Sequence, residues 1–150
     1  MGELLLEESM LKCLFVCSSL LILKILLMAP LTARWRYSKK MVISPEDKVL
    51  VGKDGKVKND DPDIERVRRA HLNDLENIPI FIITAILYGM TKPSPVFANA
   101  LIIFYTAARL THTIVYAVHV IPQPARFLSF TAALLVNVYM AVSVISYTKD

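Results

Sequence analysis

Residues 127–147 read FLSFTAALLVNVYMAVSVISY and contain no charged side chain. A hydrocarbon core of about 30 Å is crossed by about 20 residues of α-helix, so this stretch predicts a membrane-spanning helix. A barrel strand is not expected, because the run is long and does not alternate between apolar and polar residues. A helix also satisfies its own backbone hydrogen bonds inside lipid.

Three further apolar stretches precede this one. Residues 10–33 and 96–121 are long enough to span a bilayer, whereas residues 78–90 suffice only if their helix begins upstream, near Asp63. Proline-rich segments at 92–95 and 122–124 separate the later stretches. We therefore predict one domain over residues 1–150, an all-α bundle of four transmembrane helices at about 10–40, 63–90, 96–119 and 125–147, with a cytosolic loop at about 41–62.

The composition supports a membrane protein and excludes two other classes. Hydrophobic residues make up 55% of the 150 residues and the mean hydropathy is +0.48, which excludes a disordered chain and an ordinary soluble domain. Of the 17 Lys and Arg residues, 11 lie between Arg34 and Arg69. Positive charge beside a membrane helix indicates the cytosolic side rather than a nucleic-acid surface, so no nucleic-acid partner is expected.

The first apolar stretch is expected to be retained rather than cleaved. A signal peptide begins with positive charge, but Glu3, Glu7 and Glu8 precede this stretch, and no clear small-residue cleavage site follows it.

The second helix carries an unusual density of polar side chains. On a helical projection one face of it combines Arg66, Arg69, Asn73, Glu76 and Asn77. His71 and Asp74 point to the opposite face. Because neither polar face suits lipid, neighbouring helices must cover both, and we expect an oligomer. The alternative is a helix end that projects into the cytosol, where these charges are merely solvated.

The third helix repeats this pattern with one polar stripe. Its members are Tyr105, Arg109, His112, Thr113 and Tyr116. Arg109 is too deep in the helix to reach water, so its charge needs a partner or a functional role. The alternative to a role in ligand binding is a salt bridge to Asp74 or Glu76 that only stabilises the packing. Lys24, deep in the first helix, should pair with one of the same carboxylates.

The residue types on these stripes favour a small anionic ligand. Arginine binds carboxylates in bidentate geometry, and Glu76 could take a ligand ammonium group. Arg126, at the start of the fourth helix, belongs either to this site or to the cytosolic charge that anchors the topology. No P-loop, dinucleotide fingerprint or convincing metal-ligand spacing is present, and no metal is expected.

Several segments resemble the membrane-associated eicosanoid and glutathione metabolism family, and within it most closely the type 1 microsomal glutathione transferase branch. The helix-two run is the most specific of them, and the resemblance covers the chain from about Lys24 onward. The segments are ERVRRAHLNDLEN at 65–77, SPED at 44–47, RLTHTIVY at 109–116 and PQPARFLSF at 122–130.

This resemblance implies a four-helix homotrimer that binds glutathione between subunits on the cytosolic side. Arg126, with Tyr116, would be catalytic, since a nearby arginine favours the thiolate form of glutathione. Asp47, Arg68 and His112 would be accessory. The implied glutathione contacts are Arg36, Arg69, His71, Asn73, Glu76, Arg109, Tyr116 and Arg126.

Three activities follow from this resemblance as competing expectations. The first is conjugation of glutathione to hydrophobic electrophiles, with peroxidase activity on lipid hydroperoxides. The second is a glutathione-dependent prostaglandin E synthase, which is disfavoured because its family members carry arginine where Leu72 stands and serine where Phe127 stands. The third is a non-catalytic lipid-binding protein.

Two further expectations concern the same resemblance. Lys48 replaces the cysteine that follows the loop motif in transferases activated by thiol reagents, so we expect no such activation. The expected location is the endoplasmic reticulum membrane, with the mitochondrial outer membrane as the alternative.

Overall fold

The computed structural model describes residues 6–52, 54–58 and 60–149. Glu3, used above in predicting a retained first helix, lies outside these residues, as do the ends of the predicted 1–150 domain. Four long helices dominate the chain, and a short loop region joins the first two. The helices are α1 (Glu8–Lys39), α2 (Lys48–Val51), α3 (Pro62–Met90), α4 (Pro95–Thr113) and α5 (Ala125–Tyr147).

Local capping fixes where the two longest helices begin. The Glu7 carboxylate accepts hydrogen bonds from the backbone N–H groups of Ser9 and Met10 at the start of α1. Asp61 caps α3 in the same way, with Pro62 at the first helical position. Helix α1 ends at Lys39, because the next residue, Lys40, adopts a left-handed backbone conformation (φ 52°) that stops the helix.

The predicted loop at 41–62 is partly ordered into regular structure. Two-residue strands β1 (Met41–Val42) and β2 (Lys56–Val57) pair in parallel, and α2 lies between them. The strand pair and helix α2 were not predicted for this loop. The all-helical character of the fold is otherwise confirmed.

The third predicted helix changes its geometry near its end. Helix α4 stops at Thr113, and Ile114–Val118 continue as a π-helical turn, where the prediction was one uniform helix to 119. His119 N–H donates to the Ile114 carbonyl at 2.8 Å, closing the wider i→i+5 ring. The turn shifts Tyr116 relative to the preceding helical register.

The core lies where the long helices meet. Helix α1 packs against α3 and α4, and α5 packs against α4 and α3. The rings of Phe81 (α3) and Tyr105 (α4) stack with centroids 3.6 Å apart. Along α1, buried residues recur every three or four positions, whereas Phe15, Leu23 and Leu27 of its other face are exposed.

Among the residues that the structure describes, three helical segments are long and apolar enough to cross a membrane: Glu8–Lys39, Pro95–Val118 and Ala125–Tyr147. Together with their exposed apolar faces, they identify a membrane protein. Helix α3 does not meet the same criterion, because its first half carries the charged run. A fourth span is therefore a proposal, taken up below.

Candidate functional site

A cavity of about 300 Å³ lies between α3, the end of α4, the π-helical turn and the start of α5. We call it the polar cavity. It contains much of the polar set predicted from the sequence, drawn from three separate segments of the chain. Its lining residues are Arg69, Asn73, His112, Tyr116, Gln123, Arg126, Phe127 and Phe130.

Two arginine side chains of this cavity, Arg126 and Arg69, contact Tyr116. The Arg126 guanidinium lies over the Tyr116 ring, with 4.5 Å between its Cζ atom and the ring centroid. On the other side, Arg69 Nε donates to the Tyr116 hydroxyl oxygen at 3.4 Å. One tyrosine therefore holds two cations at the wall of a single cavity, which suits an anionic ligand.

A second cavity, of about 220 Å³, adjoins this one. It shares Arg69, Tyr116, Gln123 and Arg126 with the polar cavity and adds Arg66. Arg66 pairs with Asp63 at 2.5 Å, so its charge is already partly balanced. The two spaces form a neighbouring pair around the same arginines.

His112 closes the polar cavity from the α4 side. Its ring packs edge-on to Tyr116 at 5.5 Å and against Phe130 at 6.3 Å. Its Nδ1 atom is buried and has no hydrogen-bond partner among the described residues. A ligand polar group in the cavity is one partner that could satisfy it.

Behind the cavity wall lies a buried cluster that we call the charge cluster, formed by Lys24, Asp74 and Arg109. Asp74 and Arg109 are both 0% exposed and form an ion pair. Lys24 Nζ lies 2.6 Å from the same Asp74 Oδ1 atom, and Thr113 donates to Asp74 Oδ2 at 3.4 Å. The expected pairing of Lys24 with a helix-two carboxylate is confirmed, and Asp74 is that carboxylate.

Arg109 reaches the polar cavity only through another residue. Its Nη2 group donates to Asn73 Oδ1 at 2.9 Å, and Asn73 lines the cavity. Arg109 itself does not line it, although glutathione contact was predicted for it. The ion pair with Asp74 is the structural alternative that the sequence left open.

Two predicted residues lie in a separate cavity of about 270 Å³. Arg36, near the end of α1, and Asp47, beside α2, line it together with apolar residues of α1, β1 and α2. Neither residue lines the polar cavity. Within one chain these two residues are therefore separate from the predicted residues that line the polar cavity.

Three other predicted residues stand apart from these cavities. Glu76 is exposed on α3, and His71 is half-buried on the same helix. Arg68 is exposed and pairs with Glu65 at 2.6 Å. None of the three lines the cavities described above.

The sequence prediction omitted three residues that line the polar cavity: Gln123, Phe127 and Phe130. Gln123 lies between two prolines, and that placement marked it as a linker rather than a ligand contact. Phe127 and Phe130 belong to the apolar run used to define the fourth helix. Over residues 6–52, 54–58 and 60–149, no group of three His, Cys, Asp or Glu side chains is placed to hold a metal ion.

Comparison of the amino-acid sequence with known proteins places this chain in a family. Human microsomal glutathione S-transferase 1 is 40% identical over 127 residues, covering 83% of this chain and 81% of that protein. Bovine prostaglandin E synthase is 33% identical over 144 residues, covering 96% and 93% respectively. Human prostaglandin E synthase is 31% identical over 143 residues, covering 95% and 93%. The MAPEG family model matches residues 14–146, and the chain therefore belongs to the MAPEG family.

Proposed function

We propose that this protein is a glutathione transferase that conjugates glutathione to hydrophobic electrophiles and reduces lipid hydroperoxides. The observation that carries this proposal is the polar cavity, in which Arg126 and Arg69 converge on Tyr116. The 40% identity to a human protein named microsomal glutathione S-transferase 1 supports the same activity.

The cavity suits the chemistry of glutathione, which carries two carboxylates, one ammonium group and one thiol. Arg69 would bind a carboxylate, and Asn73 would donate to a carboxylate or a peptide carbonyl. Glu76 would take the ammonium group and His71 would assist, once a neighbouring subunit brings them close. These contacts orient the tripeptide so that its sulfur lies near Arg126.

Arg126 would stabilise the ionised sulfur. A free thiol is only a few per cent thiolate at neutral pH, and the thiolate is the nucleophile. A guanidinium beside the sulfur favours the anion, and a tenfold gain in the thiolate-to-thiol ratio corresponds to about 1.4 kcal/mol. The Tyr116 hydroxyl would add a hydrogen bond to the same sulfur.

The proposed reactions differ in what the thiolate attacks. With an aryl halide, a carbon–sulfur bond forms and halide leaves. With a hydroperoxide, the thiolate attacks the outer oxygen and the O–O bond breaks. The alkoxide takes a proton to give the alcohol, and glutathione sulfenic acid reacts with a second glutathione to give the disulfide and water. The apolar side chains of Phe127 and Phe130 would guide such substrates in from the bilayer.

We further propose a homotrimer of four-span subunits with its sites between subunits. In one chain, Arg36 and Asp47 line a different cavity from Arg126. Assembly would bring Arg36 of one subunit to the polar cavity of the next, with Arg68 and Asp47 nearby. Assembly would also cover the exposed face of α3, which combines Glu76 with Leu72 and Ile80.

We propose that these sites face the cytosol from the endoplasmic reticulum membrane, with the mitochondrial outer membrane as the alternative. The basic segment supports the cytosolic side but does not bear on which membrane it is. Soluble glutathione and membrane-dissolved substrates would meet there. Membrane lipid is thus a partner in the sense that it delivers the second substrate.

The second candidate is an isomerase that converts an endoperoxide prostaglandin with glutathione as a true cofactor. It is favoured by the alignment to bovine prostaglandin E synthase over 96% of this chain. Leu72 and Phe127 depart from the synthase pattern and favour the transferase. A non-catalytic lipid-binding role is the third candidate, and the paired arginines of the polar cavity argue against it.

One set of parallel assays separates these candidates. Purified protein in detergent is given glutathione with chlorodinitrobenzene, cumene hydroperoxide or prostaglandin H. We expect turnover of the first two substrates. Turnover of prostaglandin H alone would instead assign the isomerase, and no turnover despite glutathione binding would assign the non-catalytic role.

A further inference from the structure

The charge cluster has an unusual composition for a membrane protein interior. It contains two cations, Lys24 and Arg109, and one carboxylate, Asp74. Lys24 is 7% exposed, and the other two are 0% exposed. Buried charge in a membrane bundle is costly, and its presence indicates a task.

Asp74 joins three helices at one point. It belongs to α3, receives a hydrogen bond from Lys24 of α1, and receives two more from Arg109 and Thr113 of α4. Since both cations contact its Oδ1 atom, Asp74 is the common anchor of the cluster. Within the described chain, Arg109 Nε and Nη1 have no hydrogen-bond partner. The ion pair with Asp74 is therefore the charged contact that holds the Arg109 guanidinium in place.

The cluster is linked to the polar cavity by one side chain. Arg109 Nη2 donates to Asn73 Oδ1 at 2.9 Å, which fixes the rotation of the Asn73 amide. A fixed Oδ1 also fixes the opposite Nδ2 group, which makes no hydrogen bond to another described residue. Asn73 lines the polar cavity, so this free donor is available to a ligand.

We infer that Asp74 is a positioning residue for glutathione, acting through Arg109 on the Asn73 amide. Asp74 holds Arg109, Arg109 holds Asn73 Oδ1, and Asn73 presents its N–H donor to a carboxylate or carbonyl of the tripeptide. This inference rests on the proposed function. It assigns Arg109 to the support of the site rather than to contact with the ligand.

The test is a double-mutant cycle on glutathione affinity, measured by calorimetry on the detergent-solubilised full chain. Asp74→Asn should raise the dissociation constant about tenfold, and Asn73→Ala should do the same. The double variant should bind only about as weakly as Asn73→Ala alone, because Asp74 has no other route to the ligand. For Asp74→Asn, the KM for glutathione should rise along with the dissociation constant, whereas kcat should fall by a clearly smaller factor.

A purely structural role for Asp74 predicts a different result. The loss caused by Asp74→Asn would then multiply with that of Asn73→Ala, and this outcome would overturn the inference. The matched control is Asp60→Asn, an exposed aspartate that pairs with Lys58 at 3.2 Å and should leave affinity unchanged.

Two further arms keep the test decisive. If Asp74→Asn does not fold, Arg109→Lys repeats the cycle with the charge balance preserved but without the planar guanidinium that spans Asp74 and Asn73. Additive losses in that cycle would equally overturn the inference. If the wild-type protein binds no glutathione, the proposed function fails. If it binds glutathione but the losses of affinity in the two single variants are additive in the double variant, only the positioning role of Asp74 is removed.

Discussion

The guanidinium of Arg126 lies over the ring of Tyr116, 4.5 Å from Cζ to the ring centroid. The two residues come from different segments, the start of α5 and the π-helical turn after α4. Their contact fixes a cation at the wall of the polar cavity without neutralising it, because a ring face attracts positive charge but carries no net charge. The cation remains available to an anionic sulfur.

Arg126→Ala should lower turnover about a hundredfold, since it removes one electrostatic stabiliser of the reacting atom. Glutathione affinity should fall much less, because Arg69 and Asn73 remain. Steady-state kinetics with chlorodinitrobenzene, together with calorimetric affinity, checks both quantities. Arg34→Ala, an exposed arginine on α1, serves as the control. Equal losses of turnover and affinity would remove Arg126 from the catalytic role.

Two substitutions at Tyr116 separate its ring from its hydroxyl. Tyr116→Phe keeps the ring beneath Arg126 but loses the hydrogen bond from Arg69, and we expect turnover to fall by less than about tenfold. Tyr116→Leu loses both contacts and should cost more. Identical rates for the two variants would mean that the ring has no role in holding Arg126.

The charge cluster contains two cations and one carboxylate. Removing the charge of Asp74 and removing the charge of Lys24 should therefore have opposite effects on the stability of the fold. Asp74→Asn leaves two buried cations without a carboxylate and should destabilise the fold by about 3 kcal/mol. Lys24→Met leaves the Asp74–Arg109 pair balanced, so this variant should be as stable as wild type or more stable, with a melting temperature at or above that of wild type. Melting in detergent measures both variants. A lower melting temperature for Lys24→Met would contradict the charge balance described here.

The contact between Lys39 and Asp61 at the start of α3 should weaken in acid. Hydrogen bonding from Lys39, followed by backbone N–H groups of Ile64 and Asp63, lowers the pKa of Asp61. A carboxylate whose pKa is lower in the folded state contributes stability above its unfolded pKa of about 3.9 and loses it as the pH falls through the folded value. Asp61→Asn keeps an N-cap residue but removes this charge, so its melting temperature should depend less on pH below about 4. Asp60→Asn is the control, and a wild-type-like acid profile for Asp61→Asn would refute the assignment.

The homotrimer proposed above, with each site shared between two subunits, predicts complementation. Arg36→Ala and Arg126→Ala subunits should each form weakly active homotrimers. Co-expressed, they form mixed trimers in which some interfaces combine an intact Arg36 with an intact Arg126. We expect these mixtures to regain a substantial fraction of activity. Recovery no greater than the average of the two parents would place both arginines in one subunit's site, or outside the site.

Much of the fold follows from the sequence because lipid imposes strict requirements on the chain. Residues 127–147 lack charge and lie in one helix, and α3 begins at Pro62, next to the start predicted near Asp63. The π-helical turn was not predicted, because apolar residues such as Ile114 and Val118 fit an α-helix equally well. The short strand pair was missed because two-residue strands carry no periodic pattern.

The candidate site was less predictable than the fold. Helical arithmetic predicts one stripe for Arg109 and Tyr116, but it does not distinguish a residue in a cavity wall from one behind it, and it takes no account of the π-helical turn that carries Tyr116. Arg109 is behind the wall because its ion pair with the buried Asp74 holds it in the interior. The roles proposed for Arg36 and Glu76 require a neighbouring subunit, and no single-chain pattern describes one.

The central claim is that the polar cavity binds a tripeptide thiol in ionised form. The most direct measurement titrates glutathione into the detergent-solubilised protein while the ultraviolet absorbance of the thiolate is followed at neutral pH. We predict a saturable rise in thiolate absorbance that is lost in Arg126→Ala, although that variant still binds glutathione by calorimetry. Binding without any thiolate signal in the wild type, or no binding at all, would contradict the account.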